Sequence, residues 1–139
     1  VDSNGNEYYL NAERVLIDLE IENKNILKLE GVISIINFKN RGIAYIYANN
    51  AVYNENNHDT AFYNKVKMEY LNHKIFSDNL DLLFSENVSL IYNEVRYESN
   101  NSKLDTDKIS IDMKNGDIKL QMENENKKVK LVTKYESIN

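Results

Sequence analysis

Cysteine, proline and tryptophan are missing from all 139 residues, and glycine occurs only four times. Without cysteine there are no disulfide frameworks, thiolate metal sites or cysteine nucleophiles. Without a Pro-, Gly- or Ser-rich stretch there is no linker at which to cut, so residues 1–139 read as one domain. A large excess of positive charge is missing too. Lys and Arg minus Asp and Glu gives 7 − 10 = −3 for residues 1–70 and 10 − 12 = −2 for residues 71–139, matching the formal charge of −5. No basic face for nucleic acid follows from that balance. No apolar run approaches the roughly 20 residues needed to span a bilayer as a helix, so this piece reads as soluble. The first residue is Val1 and not Met, from which an upstream segment is expected, either a cleaved signal or a membrane anchor.

What is present is enough for a core: a chain of this length buries roughly two-thirds of its unfolded surface, and 42% of its residues are hydrophobic. Asparagine is abundant, with 23 copies. It enters left-handed and turn conformations more easily than most residues and can stand where glycine otherwise would.

Apolar and polar residues alternate from end to end: Val15, Ile17, Leu19, Ile21; Phe62, Val66, Met68, Tyr70; Leu80, Leu82, Phe84; Ile109, Ile111, Met113; Ile118, Leu120, Met122; Val129, Leu131. Period two means strands. Turn signals separate them, among them Asn4-Gly5, Asn40-Arg41-Gly42, Asn54 to Asp59, Asn100-Asn101 and Asn115-Gly116. Short, regularly spaced strands predict an all-β sandwich, barrel or jelly roll. The segment Asp78 to Asn87 has helical potential, but its Leu80, Leu82, Phe84 alternation favours a strand.

A repeat underlies the alternation. The unit apolar-x-small-x-x-apolar-x-apolar occurs as Leu10-Ala12-Val15-Ile17, Ile46-Ala48-Ala51-Tyr53, Ile75-Ser77-Leu80-Leu82 and Leu104-Thr106-Ile109-Ile111, the last three 29 residues apart. A second unit, Phe62-Tyr63-Asn64-Lys65-Val66, returns 29 residues later as Ile91-Tyr92-Asn93-Glu94-Val95. Side chains at i and i+2 share a face of a strand, whereas i and i+3 do not. A bulge or bend is therefore expected at each small residue, where the apolar set changes parity.

Little here suits catalysis. His58 and His73 sit in polar turns with no second histidine at metal-ligand spacing, and both read as solvated. The carboxylate pairs Asp78/Asp81 and Asp105/Asp107 flank small-residue corners on the polar side of strands, a poor setting for acid–base work. No enzyme, cofactor or metal site is expected. Asn87-Val88-Ser89 and Asn100-Asn101-Ser102 fit the glycosylation pattern, which carries meaning only in a eukaryotic secretory context. The apolar lining reads as plain core when taken alone, yet flexible Met beside Phe and small corners also suits a groove for varied alkyl chains.

Taken in order, Asp2-x-x-Gly5-x-x-Tyr8-x-Leu10-x-Ala12, Ala44-x-Ile46-x-Ala48-x-x-Ala51-x-Tyr53-Asn54, Phe62-Tyr63-Asn64-Lys65-Val66, Ile75-x-Ser77-Asp78-x-Leu80 and the tail Val129 to Glu136 resemble the LptC family, within the wider LptA/LptC/OstA-like β-jellyroll group. The likeness covers nearly the whole chain. It implies an open β-jellyroll of antiparallel strands, two-sheeted, with an apolar interior. It also implies a periplasmic domain held to the inner membrane by an upstream segment, which takes lipopolysaccharide from an LptB2FG-like ABC transporter and passes it to an LptA-like bridge protein. Family members usually carry glycine where this chain has Asn64 and Asn93; asparagine adopts the same left-handed backbone, so the turn is expected to survive.

On this reading acyl chains contact the inward set Ile17, Ile46, Phe62, Val66, Met68, Leu82, Phe84, Val95, Ile111 and Leu120, and anionic phosphates meet Arg14, Lys65 or Lys103 at the mouth. The strand from Lys127 to Tyr135 is expected to be an open edge that docks the next carrier, with Val129, Lys130, Leu131, Val132, Thr133 and Tyr135 as the partner-binding residues. Two alternatives stand beside it: a soluble LptA-like bridge, and a structural β-repeat with a sealed core and no ligand.

Overall fold

The computed structural model describes residues 5–17, 25–122 and 130–133, the last four through their backbone. The described residues form nine strands: β1 (Glu7–Leu16), β2 (Ile26–Phe38), β3 (Gly42–Asn54), β4 (Thr60–Tyr70), β5 (His73–Leu83), β6 (Val88–Glu98), β7 (Ser102–Asp112), β8 (Ile118–Gln121) and β9 (Lys130–Thr133). They belong to one antiparallel sheet ordered β1 to β8, each strand pairing with the next in sequence. Along β7, β8 pairs with the half from Lys108 to Ile111 and β9 with the half from Ser102 to Asp105. The segment from Asp78 is strand, as its alternation predicts, and continues β5.

The two layers are halves of this single sheet, folded along a line of bulges. Register breaks lie between Tyr47 and Asn50, Tyr63 and Val66, Phe76 and Asn79, and Tyr92 and Val95. In β3, β5 and β7 the buried set steps by three at a small residue: Ala48 to Ala51, Ser77 to Leu80, Thr106 to Ile109. In β4 and β6 it steps by four, Phe62 to Val66 and Ile91 to Val95, because two left-handed residues are inserted. These are Asn64 (φ 65°) with Lys65 (φ 56°), and Asn93 (φ 66°) with Glu94 (φ 55°). So the 29-residue repeat encodes alternating strand types, small-residue corners facing left-handed bulges, and asparagine does the work of glycine. Each asparagine also ties its corner across the strand pair: Asn64 Nδ2 donates to Asn50 Oδ1 at 2.9 Å, and Asn93 Nδ2 to Asn79 Oδ1 at 2.8 Å. In β2 the corresponding corner is Gly31 (φ 62°), where an added Cβ would lie 2.7 Å from the Glu13 side chain.

Folding the sheet puts one apolar face inside. Leu29, Ala51, Phe62, Leu80, Ile91, Ile109 and Leu120 stand opposite one another in register across seven strands, and Ile46, Met68 and Ile75 form a facing row. All but half-buried Leu120 belong to one buried cluster. Each large aliphatic or aromatic side chain so buried contributes about 1.5–3 kcal/mol. The ends of the layers are joined by side chains. Tyr8 Oη donates to Thr60 Oγ1 at 2.9 Å and its ring lies 4.7 Å from that of Phe84. Elsewhere the Arg41 guanidinium donates to the Met113 carbonyl and covers the Phe38 ring, while Tyr70 Oη donates to the Arg41 carbonyl at 2.9 Å.

Candidate functional site

The interior opens at the β1 edge. A cavity of about 470 Å³ lies between the layers there. Its apolar wall is Leu10, Ala12, Val15, Leu27, Leu29, Ile36 and Phe84, and Asn6, Glu7, Tyr8, Tyr53 and His58 supply its polar groups. β1 is the last strand on this side of the sheet, and among the described residues no strand lies beyond it.

Local chemistry fixes the rim. The turn between β3 and β4 is held by Asn54 and Asn57, whose side-chain oxygens accept from the backbone N–H of Asn56 and Asp59, each at 2.9 Å. These are the short asparagine loops that the composition favours. The Asp59 carboxylate then accepts from the Phe84 N–H at 2.8 Å and sets the turn after β5 against the cavity. His58, in the left-handed region at φ 67°, pairs its Nδ1 with Tyr53 Oη at 2.6 Å, with the rings stacked. Burial pushes the Tyr8 phenol up to about 12. Burial, then the Glu55 charge, also raises Tyr53. Both phenols stay protonated at neutral pH and act as hydrogen-bonding groups, not as bases.

Groups with catalytic potential are engaged elsewhere. His73 pairs with the Tyr97 hydroxyl, the Asp81 carboxylate accepts from Tyr92 Oη at 3.0 Å, and Asp105 pairs with Arg96 at 3.2 Å. Among the described residues no three of His, Cys, Asp or Glu converge to hold a metal. Of the basic residues expected at the mouth, Arg14 lies 3.7 Å from Glu30 and Lys103 4.0 Å from Glu98. Lys65 occupies the β4 bulge, and none of the three lines the cavity.

The expected lipid-contact residues fall into four groups. Ile46, Phe62, Val66, Met68, Leu82, Val95 and Ile111 face inward and are buried in the wall of the core, away from the open cavity. Phe84 lines the cavity, and Leu120 is half-buried at the other end of the sheet. Ile17 departs from the expected inward set: it is 80% exposed. The reason is that β1 pairing ends at Leu16 opposite Lys28, so Ile17 lies just outside the ladder. Its expected companions Leu19 and Ile21 lie outside the described residues, as do Val129 and Tyr135 of the docking strand. Lys130, Leu131, Val132 and Thr133 form β9, opposite Asp105, Leu104, Lys103 and Ser102. Among the described residues no strand pairs with the far side of β9.

Sequence reasoning missed Leu27, Leu29 and Ile36 of the cavity's wall because it missed β2. There Val32, Ser34, Ile36 and Phe38 alternate inward, but Ile33 and Ile35 on the outward side are apolar too, which hides the period. The available signal was the density of apolar residues between Ile26 and Phe38, bounded by Asn25 and Lys39-Asn40.

No protein-family model matches the chain, and no curated protein matches it. Among solved structures it is similar to LptH of Pseudomonas aeruginosa, described as the LptA homologous periplasmic component of the conserved lipopolysaccharide transport device. The two share 9% sequence identity over 91% of this chain and 94% of that one, with a TM-score of 0.64. At that identity the likeness is one of architecture, and the chain has the antiparallel β-jellyroll fold of LptH.

Proposed function

We propose that the chain is a carrier module for lipopolysaccharide, with no catalytic chemistry of its own, that shelters acyl chains between its two layers on the periplasmic side of the inner membrane. The observation that carries this reading is the open cavity at the β1 edge, whose apolar wall runs without a break into the buried rows of the folded sheet. Burying a methylene is worth about 0.8 kcal/mol, so partial burial of an acyl chain supplies useful affinity without a charged pocket. The likeness to LptH supports the same reading.

Within this function the sequence motifs favour an LptC-like role, receiving the lipid from an LptB2FG-like ABC transporter and handing it to an LptA-like protein that adds a strand at β9. An LptA-like bridge uses the same fold. The experiment is a transfer assay with purified lipopolysaccharide. The full chain binds it and passes it to an LptA-like acceptor, whereas truncation after Glu125, which removes β9, abolishes the hand-over and leaves binding intact. No binding of lipopolysaccharide by the full chain refutes the proposal. Wild-type hand-over by the truncated chain moves the docking edge to β1.

A further inference from the structure

We infer that Arg41 is a strap across the interior, closing the route by which a lipid chain passes from the cavity at the β1 edge to the docking edge at β9. The inference rests on the lipid-carrier reading above and deepens it.

Register lays out the route. One row of positions on the inward face starts at Leu10 in the cavity wall, runs through Ile46, Met68 and Ile75, and reaches Leu104, which stands opposite Leu131 of β9. Half way along, the row is shut. Phe38, Met68 and Ile75 of one layer close on Ile111, Met113 and Ile118 of the other, and the space left among them is about 20 Å³. That is room for about one water molecule and not for an alkyl chain.

Arg41 holds this segment shut. Its turn is fixed, because its backbone N–H donates to the Phe38 carbonyl at 3.1 Å and its carbonyl accepts from Tyr70 Oη at 2.9 Å. From that anchorage the side chain crosses to the other layer, where the guanidinium donates to the Met113 carbonyl. It lies against Gly116, at which an added Cβ would be 2.9 Å from Nη1. On the way it covers the Phe38 ring, 5.0 Å from the centroid. One long side chain thus joins the turn after β2 to the turn after β7. What lies beneath it can re-pack: two of the chain's three methionines, Met68 and Met113, line the segment, and methionine adapts to a guest more readily than branched side chains do. An advancing acyl chain supplies the bias itself, since its methylenes are buried here only when the strap is off.

The test is photo-cross-linking of the full chain to lipopolysaccharide, with the photo-reactive side chain at Leu10, before the strap, or at Leu104, beyond it. With Arg41 in place Leu10 is labelled and Leu104 stays at the level of a dark control. In Arg41→Met, which keeps a long side chain and loses the guanidinium, Leu104 labelling rises to that of Leu10, and Leu10 labelling is unchanged. If a melting curve shows that Arg41→Met does not fold, Tyr70→Phe, which frees the Arg41 carbonyl, reads the same rise. Equal labelling of the two positions with Arg41 in place, or no rise at Leu104 in a folded strap variant, overturns the inference and, with Leu10 labelled, spares the carrier reading. Labelling at neither position in any background overturns both.

Discussion

The Tyr8 hydroxyl donates a 2.9 Å hydrogen bond to Thr60 Oγ1, joining the edge strand of one layer to the other layer across the cavity mouth. Burial raises that phenol to about 12, against about 10 in an unfolded chain. A pKa raised on folding contributes stability that is whole below the unfolded value and is lost as pH climbs through the folded one. The loss falls between pH 10 and 12 and amounts to about 2–3 kcal/mol. Tyr8→Phe should cost about 1 kcal/mol at pH 8 and show a smaller further loss by pH 11. Urea unfolding of both proteins at the two pH values checks this. Parallel losses in both would remove Tyr8 as the alkaline-sensitive strap.

The two bulges offer an internal control. Asn64 and Asn93 have the same left-handed φ and the same cross-strand amide partner type. A β-branched residue in that conformation is strained by about 1–2 kcal/mol, and loss of the amide bond adds roughly 1 kcal/mol. Asn64→Val and Asn93→Val should each destabilise by about 2–3 kcal/mol and agree within experimental error. Asn→Gly at either site should cost less, since only the hydrogen bond is lost. A valine variant as stable as wild type in urea would show that the bulge does not need asparagine.

Ser89 lies in the inward row between Leu82 and Ile111, 1% exposed, and its Oγ has no hydrogen-bond partner among the described residues. A buried hydroxyl left unsatisfied costs about 1–3 kcal/mol. Ser89→Ala should therefore be neutral or raise the melting temperature, the reverse of what removing a bonded hydroxyl does. A clear drop in melting temperature would mean that the hydroxyl has a partner in solution.

Legibility in the sequence tracked locality. The corners at Ala48, Ser77 and Thr106 were readable because a parity change is a local event, and the 29-residue period repeated it, whereas the same signal at Ala12 is followed by no register break; the left-handed backbone at Asn64 and Asn93 was expected only through the family resemblance. That the layers are one folded sheet was not readable, since alternation says which side chains share a face and not which strands are neighbours. The cavity depends on that missing information. Leu10 and Ile46 hold the same place in the repeat, yet Leu10 lines the open cavity and Ile46 does not, because only the former lies on the edge strand β1. Ile17 fits the repeat but falls just past the last paired residue, where periodicity no longer reports burial.

The central claim is that lipid enters between the layers at the β1 edge, and site-specific photo-cross-linking tests it most directly. A photo-reactive side chain placed in turn at Leu29 and Phe84, which line the cavity, and at Lys67 and Asp81, which stand outside it, is illuminated with lipopolysaccharide present. Cross-links at Leu29 and Phe84, with none at Lys67 or Asp81, are the predicted result. Equal labelling at all four positions, or labelling confined to Lys67 and Asp81, would contradict it and leave the interior as a sealed core.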